Sequence, residues 1–383
     1  MRKIFGVPKE LKEGETRVAL TPDSVAILLR DDCDVLVEKD AGLFAGFSDE
    51  QYIEAGAQIA QTAQELWERA NFIIKVKEPQ KSEYGYFRED QTIFSYFHLA
   101  VEEELTNILL KKKVCAIAAE SVETEHGELP LLRPMSEVAG RMAIQAGARF
   151  LEQSQGGSGV LLGGVPGVQP GKVVIVGAGV VGTNAAQIAV GMGADVSVLD
   201  INSKRLANLD LIFGGSIKTH YCNPTTILDS AQKADLLIGA VLIPSKKAPK
   251  LVSEDVVKQM KKGSVLIDVA IDQGGIIETI DRTTTHKDPV YEKYGVLHYA
   301  VPNMPSAVPR TSSYAFSYAI LPYIRLIGEK GTQMAIRENE ALRRGVNTYR
   351  GSITCEPLAE SLGREHTEIS LLIGFSNLHD KRF

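Results

Sequence analysis

Short β-branched and aliphatic runs recur along the chain, and most are followed by a stretch with apolar residues at helical spacing. Residues 4–8, 34–38, 72–76, 92–96 and 114–118 read as strands, and residues 25–30, 50–57, 63–69 and 102–111 read as helices. This alternation predicts an open α/β unit over residues 1–120. A second series begins with strands at 173–176, 196–199, 236–240 and 265–269, carries a helix at 254–260, and ends with a last strand at 298–304. Before it, residues 134–152 place Val138, Met142, Ala146 and Phe150 on one helical stripe, with Ser136 as the expected N-cap. From Ser312 an apolar helical run through Tyr323 and Leu326 returns to the first region.

The turn between the first two strands of the second series decides what kind of α/β fold this is. Lys172 to Asp200 reads KVVIVGAGVVGTNAAQIAVGMGADVSVLD: a strand, a turn at Gly177, Gly179 and Gly182, an Ala-rich helix, and a strand ending on Asp200. Gly177 permits a tight turn, Gly179 lets the backbone approach a pyrophosphate, and Gly182 lets the helix pack against the strand. Free N–H groups at the helix start would hold the phosphates. Asp200 would accept from the ribose hydroxyls and repel a 2′-phosphate, so NAD is expected rather than NADP. The fold class expected is α/β with two Rossmann-like doubly wound domains. Residues 1–132 plus 307–383 form a discontinuous substrate (catalytic) domain, and residues 133–306 form the NAD-binding one.

Composition narrows the rest. A chain of 383 residues is too long for one ordinary core, and 44% hydrophobic with 23% charged residues is typical of a globular protein. A net charge of −6 offers no basic face for nucleic acid, and no apolar run approaches membrane-spanning length. Met1 to Val7 leads straight into charged sequence without a signal-peptide core, so a cytoplasmic location is expected. Cys33, Cys115, Cys222 and Cys355 are scattered without metal-ligand spacing, which suits a reducing compartment and predicts no metal site.

Ligands of open α/β sheets collect beyond the carboxyl ends of the strands. Arg17, Lys77 and His98 all fall just past such ends. Taken singly, Arg17 reads equally as a solvated loop charge, Lys77 as a surface lysine and His98 as a satisfied histidine. Their convergence on one edge singles them out. Asp272, in the loop DVAIDQGG, reads either as a turn former or as a group beside the nicotinamide.

The strings GVPKE, ETRVALTP, KVKEP, FHLA, PLLRPMSEVAGRMA, GGVPGV, VGAGVVGTNAA, VLDIN, ADLLIGAVLIP, DVAIDQGG and PNMPSAVPRTS make the chain similar to the alanine dehydrogenase and transhydrogenase alpha-subunit family, from Gly6 to about Leu362. The resemblance implies reversible NAD-dependent oxidative deamination of L-alanine to pyruvate and ammonium, in a homohexamer. Arg17 would bind the substrate carboxylate with Lys77 as its partner, His98 would be the acid/base, and Asp272 the other catalytic residue. Cofactor contacts carry over to Ser136, Val180, Val181, Asp200, Arg205, Val241, Leu242, Val269, Asn303 and Met304. Cys222 stands where the resemblance implies a serine near the adenosine. Two alternatives remain: a soluble NAD(H)-binding subunit of the transhydrogenase type, and an opine-type, saccharopine-like dehydrogenase. The terminus from about Glu365 is unfamiliar and implies nothing.

Overall fold

The computed structural model describes residues 3–241 and 249–374. The chain divides into two compact units, one built from residues up to Met135 together with those from Val308 onward, the other spanning Ser136–Ala307. The first unit is therefore discontinuous.

Its first six strands are β1 (Ile4–Val7), β2 (Asp34–Glu38), β3 (Gln58–Ala60), β4 (Phe72–Lys77), β5 (Thr92–Tyr96) and β6 (Cys115–Ala118). They pair in parallel in the order β6-β5-β4-β1-β2-β3, so the winding reverses between β1 and β4. Successive side chains of a strand face opposite sides, and both sides here are buried. Phe5, Val35, Val37, Ile74, Val76 and Phe94 join one core with Phe316, Ile320 and Ile324 of helix Pro309–Lys330, while Leu36, Ile73, Ile93 and Ala116 join another with Trp67, Leu105 and Leu109. Two covered faces explain why the strands read as near-continuous apolar runs. Each fully buried large side chain adds about 1.5–3 kcal/mol to the unit.

In the second unit the strands are β7 (Lys172–Val176), β8 (Asp195–Asp200), β9 (Ile217–Tyr221), β10 (Leu236–Gly239), β11 (Val265–Asp268), β12 (Val290–Lys293) and β13 (Val296–Tyr299). The order is β12-β13-β11-β10-β7-β8-β9, parallel except for β12, and its reversal lies between β7 and β10. Val173 and Ile175 face one core, Val174 and Val176 the other. In the first unit, β14 (Val346–Tyr349) pairs antiparallel with the free edge of β6, and β15 (Ser352–Ile353) pairs antiparallel with β14. Two doubly wound α/β units are thus present, as the strand pattern predicted.

Three expectations are corrected. Ser136 is not an N-cap: helix Arg133–Phe150 begins three residues earlier, with Pro134 inside its first turn, where a missing N–H costs nothing. The last strand of the second unit is Val296–Tyr299 rather than 298–304, and Met304–Ala307 forms a 3-10 turn. Strands β3, β9, β12, β14 and β15 went unforeseen because their polar residues hide the alternation.

Candidate active site

At the carboxyl edge of the second sheet, the three glycines hold three different environments. Gly177 has φ +112°, a region that favours glycine, and a Cβ there would stand 2.7 Å from the Ala240 carbonyl oxygen. A Cβ at Gly182 would stand 1.8 Å from the Gly177 carbonyl oxygen, so the helix start is pressed onto the turn. At Gly179 nothing lies within 4 Å of the same position, which leaves room beside the first turn of helix Val180–Gly191. Val180 is half-buried and Val181 buried in that turn. The N-terminal turn of such a helix presents unsatisfied N–H groups and a positive dipole end to an anion.

Asp200, 7% exposed at the end of β8, ties this edge together. Its Oδ2 accepts the Ala178 N–H at 2.6 Å and its Oδ1 the Asn202 N–H at 2.7 Å, while Arg205, exposed, lies 3.9 Å away. Each carboxylate oxygen retains a second lone pair with which to accept a hydroxyl. Cys222 donates its backbone N–H to the Asp200 carbonyl at 3.0 Å, and burial raises the pKa of its thiol. Its main-chain place beside Asp200 is independent of the side chain.

Val241 follows β10, and Leu242 lies outside the described residues. Val269, half-buried after β11, donates its N–H to the Gly239 carbonyl at 3.0 Å. Asp272 is exposed, and its Oδ2 accepts the Asn303 N–H at 3.3 Å; Asn303 itself adopts φ +53°, and Met304 beside it is buried. Ser136 is half-buried one turn ahead of Gly140, where a Cβ would stand 2.2 Å from the Val181 carbonyl oxygen. Residues four apart share a helix face, so Ser136 is carried on the face that packs against the glycine turn. Val180, Val181, Asp200, Val241 and Val269 thus lie at or just past the carboxyl ends of β7, β8, β10 and β11, around the reversal point where such folds bind ligands.

Sequence reasoning missed the residue that holds Asp272's loop. Asp268, fully buried, accepts N–H bonds from Ala270 (3.1 Å), Ile276 (2.7 Å) and Ile277 (3.0 Å). Burial raises its pKa, and the three N–H bonds oppose that shift. A signal was present: DVAIDQGG contains two aspartates, and the one on the strand end is the structural one.

In the first unit, Arg17 follows β1, Lys77 closes β4 and His98 follows β5, three neighbouring parallel strands. Their carboxyl ends share one edge. Arg17 is only 2% exposed, and its Nε and Nη2 donate to Glu15 Oε1 and Oε2 at 2.7 and 2.6 Å, with Nη1 3.1 Å from Met135 Sδ. Burial alone would make Arg17 less basic, but the Glu15 carboxylate outweighs it and raises the pKa. Lys77 is half-buried, and its N–H points at Glu10 Oε2, 3.4 Å away.

His98 sits at φ +51°, an uncommon conformation for a non-glycine residue. Its N–H donates to Glu120 Oε1 at 2.6 Å, and its ring Nδ1 lies 3.8 Å from the same carboxylate. The imidazole remains 47% exposed. A cationic pair and a partly open imidazole on one edge can together hold a small carboxylate and move a proton. Among the described residues no group of three His, Cys, Asp or Glu could hold a metal ion, and no helix is long and apolar enough to cross a membrane.

Comparison with known proteins identifies the family. Residues 6–139 match the family described as "Alanine dehydrogenase/PNT, N-terminal domain" and residues 143–356 the family described as "Alanine dehydrogenase/PNT, C-terminal domain". The chain is 56% identical over 358 residues to an alanine dehydrogenase of Methanococcus maripaludis, spanning 94% of this chain and 96% of that one. It is also 56% identical over 363 residues to an alanine dehydrogenase of Bacillus subtilis, spanning 95% and 96%. A solved L-alanine dehydrogenase superposes with a TM-score of 0.91 at 48% identity, covering 94% of this chain and 99% of that chain. The chain belongs to the alanine dehydrogenase/PNT family.

Proposed function

We propose that this protein is an NAD-dependent L-alanine dehydrogenase, catalysing the reversible reaction of L-alanine, NAD and water to pyruvate, ammonium, NADH and a proton. The observation that carries the reading is that Arg17 follows β1, Lys77 ends β4 and His98 follows β5, three neighbouring parallel strands. The glycine turn fits the dinucleotide: its open position at Gly179 and the hydrogen-bonding Asp200 suit pyrophosphate and ribose. The transhydrogenase-type and opine-type alternatives are not favoured, given 56% identity to alanine dehydrogenases.

When bound, NAD accepts a hydride from the alanine Cα. Arg17 and Lys77 hold the alanine carboxylate, and this fixed placement lowers the barrier by removing the entropy cost of orientation. Once the substrate ammonium has shed a proton to solvent, loss of the hydride leaves an iminium on the substrate. His98 takes the proton of a water molecule as its oxygen adds to the iminium carbon, and the carbinolamine forms. As the C–N bond breaks, His98 returns that proton to the departing nitrogen, the hydroxyl proton passes to the released ammonia, and pyruvate and ammonium remain. Asp272, held by the Asn303 N–H, orients the carbinolamine or the nicotinamide. Ser136, Val180, Val181, Arg205, Val241, Leu242, Val269, Asn303 and Met304 complete the cofactor contacts in this reading. We assign the working enzyme to a cytoplasmic homohexamer on the strength of the family resemblance.

The test is to mix the pure protein with NADH, pyruvate and ammonium and follow nicotinamide absorbance. Loss of absorbance that needs both pyruvate and ammonium supports the proposal. Turnover with 2-oxoglutarate and lysine instead, or none with any amino acceptor, would overturn it.

A further inference from the structure

One feature of the first unit plays no part in the proposed reaction. Lys75, two residues before Lys77, is fully buried, 3.3 Å from Glu10 Oε2 and 3.2 Å from Glu83 Oε1. The Glu10 side chain is 3% exposed, although Glu10 belongs to the loop that follows β1. Burying a lysine between two carboxylates gains little stability over an apolar core of the same shape. The arrangement therefore calls for another reason.

Backbone geometry supplies one. The β4–β5 ladder pairs Ile74 with Phe94 and next Lys77 with Tyr96, so three residue steps on β4 oppose two on β5. That is a bulge at Lys75 and Val76. The paired register of β1 with β4 covers only Phe5 with Phe72 and Gly6 with Ile73, and ends before the bulge. Consecutive N–H groups of a regular strand point opposite ways, yet Val76 and Lys77 both direct theirs at one carboxylate. Val76 donates to Glu10 Oε1 at 2.6 Å, and Lys77 donates to Glu10 Oε2 at 3.4 Å. Glu10 thus stands where a continuing strand would have been.

We propose that Glu10 is a positioning residue for Lys77: by gathering the two N–H groups of the bulge it fixes the direction in which the Lys77 ammonium is presented to the substrate carboxylate. The buried Lys75 ammonium, anchored from the other side by Glu83, holds Glu10 in place. Glu83 is itself fixed by accepting the Gln80 N–H at 2.7 Å. Three donors meet two carboxylate oxygens here, so an amide in place of Glu10 would lose one acceptor and turn its own N–H groups against them. The inference rests on the proposed alanine dehydrogenase reading and deepens it at the carboxylate-binding end.

The experiment uses the full-length enzyme and compares Glu10→Gln, Glu83→Gln and Lys77→Ala, singly and with Glu10→Gln combined with Lys77→Ala. Glu10→Gln is expected to raise the pyruvate KM by about tenfold or more, the scale of one lost hydrogen bond to a charged group, with the NADH KM unchanged. Glu83→Gln disturbs the same buried cluster but leaves both bulge contacts, so it should move the pyruvate KM much less. In the Lys77→Ala background the effect of Glu10→Gln should vanish, because the two residues act as one unit. If Glu10→Gln does not fold, Glu10→Asp, one methylene too short to reach both N–H groups, replaces it in the same comparison. An unchanged pyruvate KM, equal effects of Glu10 and Glu83 variants, or an undiminished effect without Lys77 would each overturn the proposal while the enzymatic reading stands. A wild-type protein that does not turn over pyruvate would overturn both.

Discussion

Arg17 is gripped at two points by Glu15, two residues earlier in the chain, with Nε to Oε1 at 2.7 Å and Nη2 to Oε2 at 2.6 Å, and both side chains at most 2% exposed. The planar fork expected to meet a substrate carboxylate is thus already oriented by a carboxylate of the protein. A buried charge without its partner is costly, so Glu15 keeps the guanidinium in place when no substrate is bound.

Replacing Arg17 by lysine should therefore do two things. A point charge cannot match two carboxylate oxygens, and steady-state kinetics should show the alanine and pyruvate KM rising by about tenfold to a hundredfold, at roughly 1.4 kcal/mol per factor of ten. Glu15 would also lose half of its pairing, so the melting temperature should fall. Unchanged KM values would remove Arg17 from the carboxylate site.

His98→Ala should lower kcat by about a hundredfold to ten-thousandfold, the usual range for a lost general acid/base, while NADH binding measured by fluorescence titration is retained. Alanine at φ +51° also carries strain. His98→Asn, which tolerates that backbone better, separates proton transfer from strain. A near-normal kcat in both variants would overturn the acid/base role.

The cofactor cradle makes opposite predictions for two glycines of the same turn. Gly179→Ala meets nothing within 4 Å and should fold with an unchanged melting temperature, yet bind NADH more weakly because its methyl group occupies the space a pyrophosphate needs. Gly182→Ala would place its Cβ 1.8 Å from the Gly177 carbonyl oxygen and should lower the melting temperature itself. Equal behaviour of the two would contradict the division of roles.

Asp200→Ala should narrow the preference for NADH over NADPH, measured as the ratio of kcat/KM values, by about tenfold or more, since the repulsion of a 2′-phosphate goes with the carboxylate. Binding of both cofactors should also weaken, because the Ala178 and Asn202 N–H groups lose their acceptor. If selectivity is kept, the ribose is read elsewhere.

Glu10 should leave a mark on stability as a function of pH. Burial pushes its carboxyl from an ordinary value of 4.5 up to about 7, against the Lys75 ammonium and the Val76 N–H, with Glu15 and Glu83 adding to the rise. A carboxyl with a raised pKa binds its proton more tightly in the folded chain, so its contribution is full below 4.5 and is lost as pH rises through 7. The melting temperature of the native protein relative to Glu10→Gln should accordingly fall across that window and level off above it. A difference that stays flat with pH would place the Glu10 titration elsewhere.

The local parts of this site were legible in the sequence and the distant ones were not. Gly177, Gly179, Gly182 and Asp200 lie within one strand–turn–helix–strand passage, so spacing alone defines their geometry. Arg17, Lys77 and His98 could be noticed because each follows a strand. Their supports are set by contacts that cross the chain: Glu10 meets Val76 across 66 positions and Glu120 meets His98 across 22. A glutamate in the polar loop KELKEGETR looks solvated until the fold places it under a strand bulge. Ser136 misled because its residue type favours a cap, while Pro134 had already allowed the helix to begin. The edge strands escaped because their half-polar sequences carry too little alternation to separate from loop.

In the proposed reaction hydride passes between the nicotinamide and a carbon bearing an amino group, and isotope transfer reads that step out. NADH deuterated at both C4 positions is mixed with the native protein, pyruvate and ammonium, and the product is read by mass spectrometry. Alanine should carry a single deuterium on its Cα, formed in step with the NADH consumed. NADH oxidised without labelled alanine, or label found in lactate instead, would rule this reaction out.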